Sequence, residues 1–232
     1  NSSMDWQVAV TSTDVCPVAN GFCNTPNNVT GARGRFIGPK TANAQPDFGS
    51  FIINRGTPNP VGMFSSIIQR QDEVGSGDER GIYAANLAID QKDGSNAGFF
   101  RDSSNLAIIF LTDEDERSVG GANGSDPAYA QLESYDQPQT LLNKVVTTWG
   151  GKKAVIINSI VIRSGDVACL NAQKAQGPFN TAHYGTAYER VSQLAQNGSV
   201  VGSICDSSPG AFASVVGNIT GAIERLPQLN EM

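Results

Sequence analysis

Four carboxylates, Asp113, Glu114, Asp115 and Glu116, stand in an unbroken run directly after an apolar segment. Adjacent carboxylates repel one another unless water or a cation relieves the repulsion. Their oxygens are the ligands that magnesium, manganese and calcium prefer, so the run could hold a divalent ion. A solvated acidic loop is the alternative interpretation. Because the run follows a predicted core strand, the sequence does not decide between the metal site and the solvated loop. In the metal interpretation, Asp113 and Asp115 are the ligands.

The apolar segment, residues 105–112, is predicted to be the strand that positions the acidic run. A short continuous apolar run is typical of a strand buried on both faces, in the centre of a parallel sheet. A buried helix is the competing interpretation, but the segment is too short for one and ends abruptly at Asp113. Because ligands of open α/β sheets bind at the carboxyl ends of strands, the carboxylates lie where a ligand is expected.

A third candidate metal ligand, Asp78, lies in a glycine-punctuated turn at residues 75–81. The turn opens a predicted helix at 79–91, and an N-cap role alone explains Asp78. No Lys followed by Ser or Thr comes after the glycines, so the turn is not a phosphate-binding loop. His183, the single histidine, stands at the start of another predicted helix. Since the chain has no Gly-x-Ser-x-Gly motif, the sequence does not support a Ser-His-Asp relay.

The remaining chain alternates predicted strands with predicted helices. Strands are predicted at 5–14, 105–112, 153–163 and 199–205, and helices at 61–71, 79–91, 135–149, 184–196 and 209–225. Residues 164–181 are predicted to be a polar crossover, and the insertion 24–60 holds two short strands, 34–37 and 50–54, predicted to form a β-hairpin. The alternation predicts one α/β domain, 1–232, with a doubly wound, mostly parallel, Rossmann-like sheet and helices on both faces.

The four cysteines form two predicted pairs. Cys16 and Cys23 bracket a turn-rich segment, whereas Cys169 and Cys205 each follow a predicted strand. An even number of cysteines without a Cys-x-x-Cys motif favours two disulfides over a zinc site. Disulfides place the chain outside the cytosol, in the extracellular space, at the cell surface or in the periplasm. Four buried thiols in a cytosolic protein are the alternative.

The charge balance and the apolar runs argue against two classes of partner. With 16 Lys and Arg against 22 Asp and Glu, the formal net charge is -6. Sequence-independent binding of nucleic acid needs clustered positive charge, which this composition lacks. No apolar run approaches the roughly 20 residues of a membrane span.

Four segments, 5–15, 75–81, 106–115 and 188–205, resemble a von Willebrand factor A domain, in particular the vWA-like proteins that are secreted or lipid-anchored in bacteria. The sharpest match is Leu111-Thr112-Asp113, since the family has a strand ending in Thr-Asp-Gly that carries one aspartate of its metal-ion-dependent adhesion site. Glu114 replaces that glycine, and Asp78 stands where the family has a threonine. The family's Asp-x-Ser-x-Ser motif is not found, which indicates a missing first strand or a variant site.

The resemblance implies a binding module for adhesion rather than an enzyme. In such a module a divalent ion, magnesium or calcium, would bridge Asp113, Asp115 and Asp78 to a carboxylate of a protein or surface ligand. The first alternative is a magnesium-dependent phosphoester hydrolase, with Asp113 or Asp115 as base or nucleophile. The second is an inert structural component of a surface or secretion assembly. A fold analogy supports function only weakly, so these classes remain to be separated by the site.

Overall fold

The computed structural model describes residues 5–15, 31–39, 51–69, 79–116, 132–176, 182–195, 198–206 and 208–226. The chain divides into two compact units. The first comprises Asn1–Gly77 and Tyr83–Arg101, and the second comprises Asp78–Ile82 and Asp102–Met232. The single domain predicted over 1–232 stays a prediction.

The first unit contains a two-stranded antiparallel sheet. Strand β1, Gln7–Val8, pairs with strand β2, Ile53–Asn54. The N–H of Ile37 also donates to the carbonyl of Val10, at 2.9 Å. Both segments that were predicted to form a hairpin with each other are therefore bonded to the first strand segment. The physical reason is a shared apolar cluster, in which Ile37 and Ile53 are buried together with Ile67.

Two helices contribute to the first unit. Helix α1, Pro60–Ile68, begins after Asn59, whose Oδ1 accepts the N–H of Gly62 at 3.2 Å. Proline at the first helical position has no N–H to leave unpaired, so the start is well defined. Helix α2, Gly81–Asp90, has its first two residues in the second unit and the rest in the first. Both helices confirm the predicted segments 61–71 and 79–91, although α1 begins one residue earlier and α2 two residues later than predicted.

The second unit contains a parallel sheet of three strands, β3 (Leu106–Leu111), β4 (Val155–Val161) and β5 (Val201–Ser203), in that spatial order. Strand β4 is central, and every residue after Val155 is buried. In the part of the chain that the structure describes, β3 is an edge strand, with Ile109 and Leu111 49% and 58% exposed. The prediction that 105–112 is the central, doubly buried strand is therefore wrong.

Helices cover both faces of β4. On one face the Oγ of Ser159 donates to the carbonyl of Tyr188 in helix α5, Thr186–Ala195, at 2.9 Å. On the other face Ile160 packs against Val215 and Ile219 of helix α6, Pro209–Glu224. Consecutive strand residues point to opposite faces, so these contacts establish a mixed α/β arrangement.

Two further helices complete the described part of the second unit. A 3-10 turn, Ser134–Asp136, leads into helix α3, Pro138–Trp149, which confirms the helix predicted at 135–149. Helix α4, Val167–Gln176, lies in the segment 164–181 that was predicted to be a polar crossover. Only Cys169 is buried in α4, so the segment carries no apolar stripe that would have revealed a helix.

A disulfide ties α4 to the residues after β5. The Sγ atoms of Cys169 and Cys205 are 2.00 Å apart, which confirms this predicted pair. Cys169 packs with Ile162 and Ala182 in a small core. The other predicted pair, Cys16 and Cys23, lies outside the described residues. Among the described residues, no helix combines the length and the apolar character needed to cross a membrane.

Candidate functional site

The acidic run begins where β3 ends. The N–H of Thr112 still donates to Ile160 of β4, at 3.3 Å, and the chain then leaves the sheet. The Oγ1 of Thr112 accepts the N–H of Glu114 at 3.0 Å, which turns the chain. The same hydroxyl donates to Oε2 of Glu79 at 2.7 Å. The carboxylates therefore lie at the carboxyl end of the sheet, as predicted from the strand.

The carboxyl of Glu79 has a strongly raised pKa. Burial raises its pKa to about 7, because removal from water disfavours the charged form. The hydrogen bond from Thr112 lowers the pKa, and the negative charges of Glu114 and Asp113 raise it further. Glu79, Asp113 and Glu114 thus form a group of mutually repelling carboxyls, which we call the acidic edge. Glu79 gains or loses a proton near neutral pH.

Asp115 is bound to the start of α5. Its Oδ1 accepts the N–H of Ala187 at 2.9 Å and the N–H of Glu116 at 2.9 Å. Burial raises the pKa of Asp115, while these N–H groups, that of Thr186 and His183 act in the opposite direction. Such contacts are those of a helix N-cap, which satisfies N–H groups that lack a partner within the helix. The metal-ligand role of Asp115 stays a prediction.

Glu116 is bound to the start of α2. Its carboxylate is buried, and Oε2 accepts the N–H of Ile82 at 2.8 Å. The fully buried hydroxyl of Tyr188 accepts the N–H of Gly81 at 3.0 Å. Burial raises the pKa of Tyr188 well above its ordinary value, and the charge of Glu116, with which the phenol is hydrogen-bonded, raises it further. A Cβ at Gly81 would lie 2.8 Å from this hydroxyl, so the position requires glycine.

An ion pair holds the residues before α2. Arg80 donates from Nε and Nη2 to the two carboxylate oxygens of Asp136, at 2.7 and 2.8 Å. Glu133 lies 3.1 Å from the same guanidinium. The Asp136 carboxylate is completely buried, and a paired, bidentate contact of this kind is strong and directional. The pair positions Glu79, its neighbour in sequence, at the acidic edge.

His183 is held beside the acidic run by a backbone hydrogen bond. Its backbone N–H donates to the carbonyl of Asp113 at 3.0 Å. Its Nε2 is buried and has no hydrogen-bond partner among the described residues. No nucleophilic side chain is bonded to the ring there, so the arrangement gives no support to a relay through His183.

Two of the three predicted metal ligands lie among the described residues. Asp113 and Asp115 both follow β3, whereas Asp78 lies outside the described residues. Within the described ranges, no group of three or more His, Cys, Asp or Glu side chains could hold a metal ion.

Sequence reasoning missed the roles of three residues: Glu79, Glu116 and Tyr188. Glu79 was expected inside a helix, but α2 begins only at Gly81, which leaves the carboxyl free to reach Thr112. Tyr188 lies in the helix predicted at 184–196, and helical spacing says nothing about the partners of its hydroxyl. In the sequence, Glu116 was recognised only as the last of the four acidic residues.

No family model, curated protein or solved structure matches this chain. Its function must therefore be inferred from its own residues. Strand β3 of the parallel sheet ends in four carboxylates. Asp115 and Glu116 cap helices, whereas Asp113 and Glu114 interact electrostatically with Glu79.

Proposed function

We propose that this chain is an extracytoplasmic ligand-recognition module of the von Willebrand factor A type, which binds its ligand at the acidic edge. The observation that supports this most is the pKa of Glu79, raised to about 7 by burial and by the charges of Glu114 and Asp113. Carboxyl groups that repel one another in this way are common at functional sites, where a bound positive charge relieves the repulsion. The carboxyl end of a parallel strand is also where open α/β folds bind ligands.

The parallel sheet and the disulfide support the finer parts of the proposal. Helices on both faces of β4 are what a doubly wound, Rossmann-like sheet requires. The bond between Cys169 and Cys205 is typical of proteins that work in an oxidising compartment outside the cytosol. Adhesion to a protein or a surface ligand is the activity that the family resemblance adds.

The ligand must offer positive charge to the acidic edge. A lysine or arginine side chain of a protein ligand would meet this requirement directly. A magnesium or calcium ion would need at least one ligand beyond the described residues, and Asp78 is the predicted one. The two cases differ in whether chelation abolishes binding.

Thermal melting tests the proposal. The intact chain is heated with EDTA, with magnesium, calcium or manganese, and with an oligo-arginine peptide. We expect a saturable rise in melting temperature with at least one of these cations, since only the folded state binds it. The rise should disappear in Asp113→Asn and persist in Asp102→Asn, which removes an exposed carboxylate before β3. Flat melts with every cation, or a rise unaffected by Asp113→Asn, would remove the proposal.

A magnesium-dependent hydrolase is the second candidate, favoured by one observation. A carboxyl with a pKa of about 7, as at Glu79, is well suited to act as a general base at neutral pH. Turnover of a chromogenic phosphoester with magnesium, lost in Glu79→Gln, would support this candidate. No turnover above a boiled sample would leave recognition as the function.

A further inference from the structure

Strand β3 has one edge without a neighbouring strand in the described part of the chain. The N–H groups of Leu106 and Thr112 donate to Ala154 and Ile160, on the side of β4. Because alternate residues of a strand point their N–H and C=O groups to opposite sides, those of Ala107, Ile109 and Leu111 point away from β4. The backbone of β3 is thus arranged to pair with a further strand.

The side chains of the same three residues are apolar and share one face. Ile109 and Leu111 are 49% and 58% exposed, an unusual exposure for a parallel strand. The register pairs Ala107 with Ile156 and Leu111 with Ile160, so this is the face that α6 covers on β4. An exposed apolar edge strand readily pairs with another chain.

We propose that a second copy of this chain pairs with β3 in antiparallel orientation, about a two-fold axis at Ile109. The two parallel sheets of three strands would then join into one continuous sheet. In this register Ile109 meets its own equivalent, and Ala107 meets Leu111 of the partner subunit. All three residues have outward N–H and C=O groups, so the pairing forms about six backbone hydrogen bonds. The small side chain of Ala107 leaves space for the large leucine.

The charges at the two ends of β3 identify the occupant as a second copy. Asp113 and Glu114 follow the carboxyl end of the strand. At the amino end, two lysines outnumber the single exposed carboxylate of Asp102: Lys153 donates from Nζ to the carbonyl of Ser104, and the exposed Lys152 precedes it. A rotation of 180° brings the acidic end of one copy against the basic end of the other. A two-fold interface needs such a self-complementary surface.

The expected affinity is modest. A single pair of short strands buries less surface than a standard protein interface, which corresponds to a dissociation constant on the order of 10 μM. The dimer does not rest on the proposed function, because its backbone and apolar contacts come from β3 itself. Asp113 and Glu114 belong to both proposals, but the dimer uses only their charge at the end of the strand.

Sedimentation equilibrium of the intact chain tests the dimer. We expect the mass to rise from 24.4 kDa towards twice that value between about 1 and 500 μM. Ile109→Lys places a charge on the pairing face and should raise the dissociation constant at least about tenfold. Ile109→Pro removes an outward N–H while keeping the bonds to β4, and should have a similar effect. The control is Val146→Lys on α3, a valine that is 57% exposed, and it should change nothing.

If circular dichroism shows that both variants of Ile109 are unfolded, Lys152→Glu is the alternative test. It lies on the surface and should raise the dissociation constant several-fold, because acid would meet acid at both ends of the pair. A monomer at every concentration overturns the proposal. So does a dimer whose dissociation constant is unchanged in every folded variant of Ile109 and Lys152.

Discussion

The two halves of the acidic run differ in what surrounds them. Asp115 and Glu116 accept backbone N–H groups at the starts of α5 and α2. Asp113 and Glu114 face Glu79, and the three carboxyls raise one another's energy. Helix N-termini carry partial positive charge, so the first pair is stabilised where the second is opposed. Four neighbouring acids thus divide into two that stabilise the starts of helices and two that we propose bind a ligand.

The largest expected effect comes from removing the buried end of the run. Glu116→Ala leaves the N–H of Ile82 and the hydroxyl of Tyr188 without this carboxylate in a buried site. We expect the free energy of unfolding to fall by about 2–4 kcal/mol, since buried polar groups without partners are costly. Urea unfolding followed by circular dichroism measures the change.

The matched control for Glu116→Ala is Asp113→Ala in the other half of the run. Its side chain is half-buried and caps no helix in the described structure, so the free energy of unfolding should change by less than about 0.5 kcal/mol. Equal losses in the two variants would contradict the division into structural and binding halves.

The acidic edge should make stability depend on pH through Glu79. Its pKa rises from 4.5 to about 7 on folding, so the folded state holds a proton that the unfolded chain releases. The contribution of Glu79 to the free energy of unfolding is therefore fully present below pH 4.5 and is lost as the pH rises through about 7. After allowance for solvent screening, the loss is on the order of 1–2 kcal/mol.

Glu79→Gln provides the comparison for this pH effect. The variant should show a flatter dependence of the unfolding free energy on pH between pH 4.5 and about 7, measured by urea titrations in parallel with the intact chain. Glu224→Gln, an exposed change in α6, should keep the original dependence. An identical slope for the intact chain and Glu79→Gln would show that another group titrates.

A smaller effect is expected for the cap of α5. Asp115→Ala removes the acceptor for the N–H of Ala187 and should lower the free energy of unfolding by about 1 kcal/mol. Asp115→Asn keeps an oxygen acceptor and should recover about half of that loss. If Asp115→Ala instead abolished cation-dependent stabilisation without lowering stability, Asp115 would belong to the binding half.

The sequence predicted where most elements lie but not how the strands are ordered. The apolar runs at 105–112 and 153–163 both form parallel strands, because a sheet is the usual structure in which a short apolar run is buried. Which of them is central depends on the neighbours of each, and β4 is the central one although it contains Asn158 and Ser159. Ser159 is bonded to α5, a contact that no local pattern could reveal.

The sequence predicted where the acidic run lies in the fold, but only some of the residues that surround it. Asp113 follows the end of β3 as expected, because charge cannot continue into a core. Glu79 reaches the same edge from 33 residues away in sequence, through Thr112. The division of the four acids depends on where α2 and α5 begin, which is a tertiary property.

The buried phenol of Tyr188 also gives the chain an internal optical reporter. The chain has five tyrosines, and the hydroxyl of this one is enclosed between Glu116 and the start of α2. In alkaline solution its ring, 5.0 Å from that of Phe110, should stay un-ionised until the second unit opens. Phenolate absorbance should therefore increase in two phases, and the late phase should report alkaline unfolding of this unit, because the unfolded chain ionises at the ordinary tyrosine pKa of 10.0.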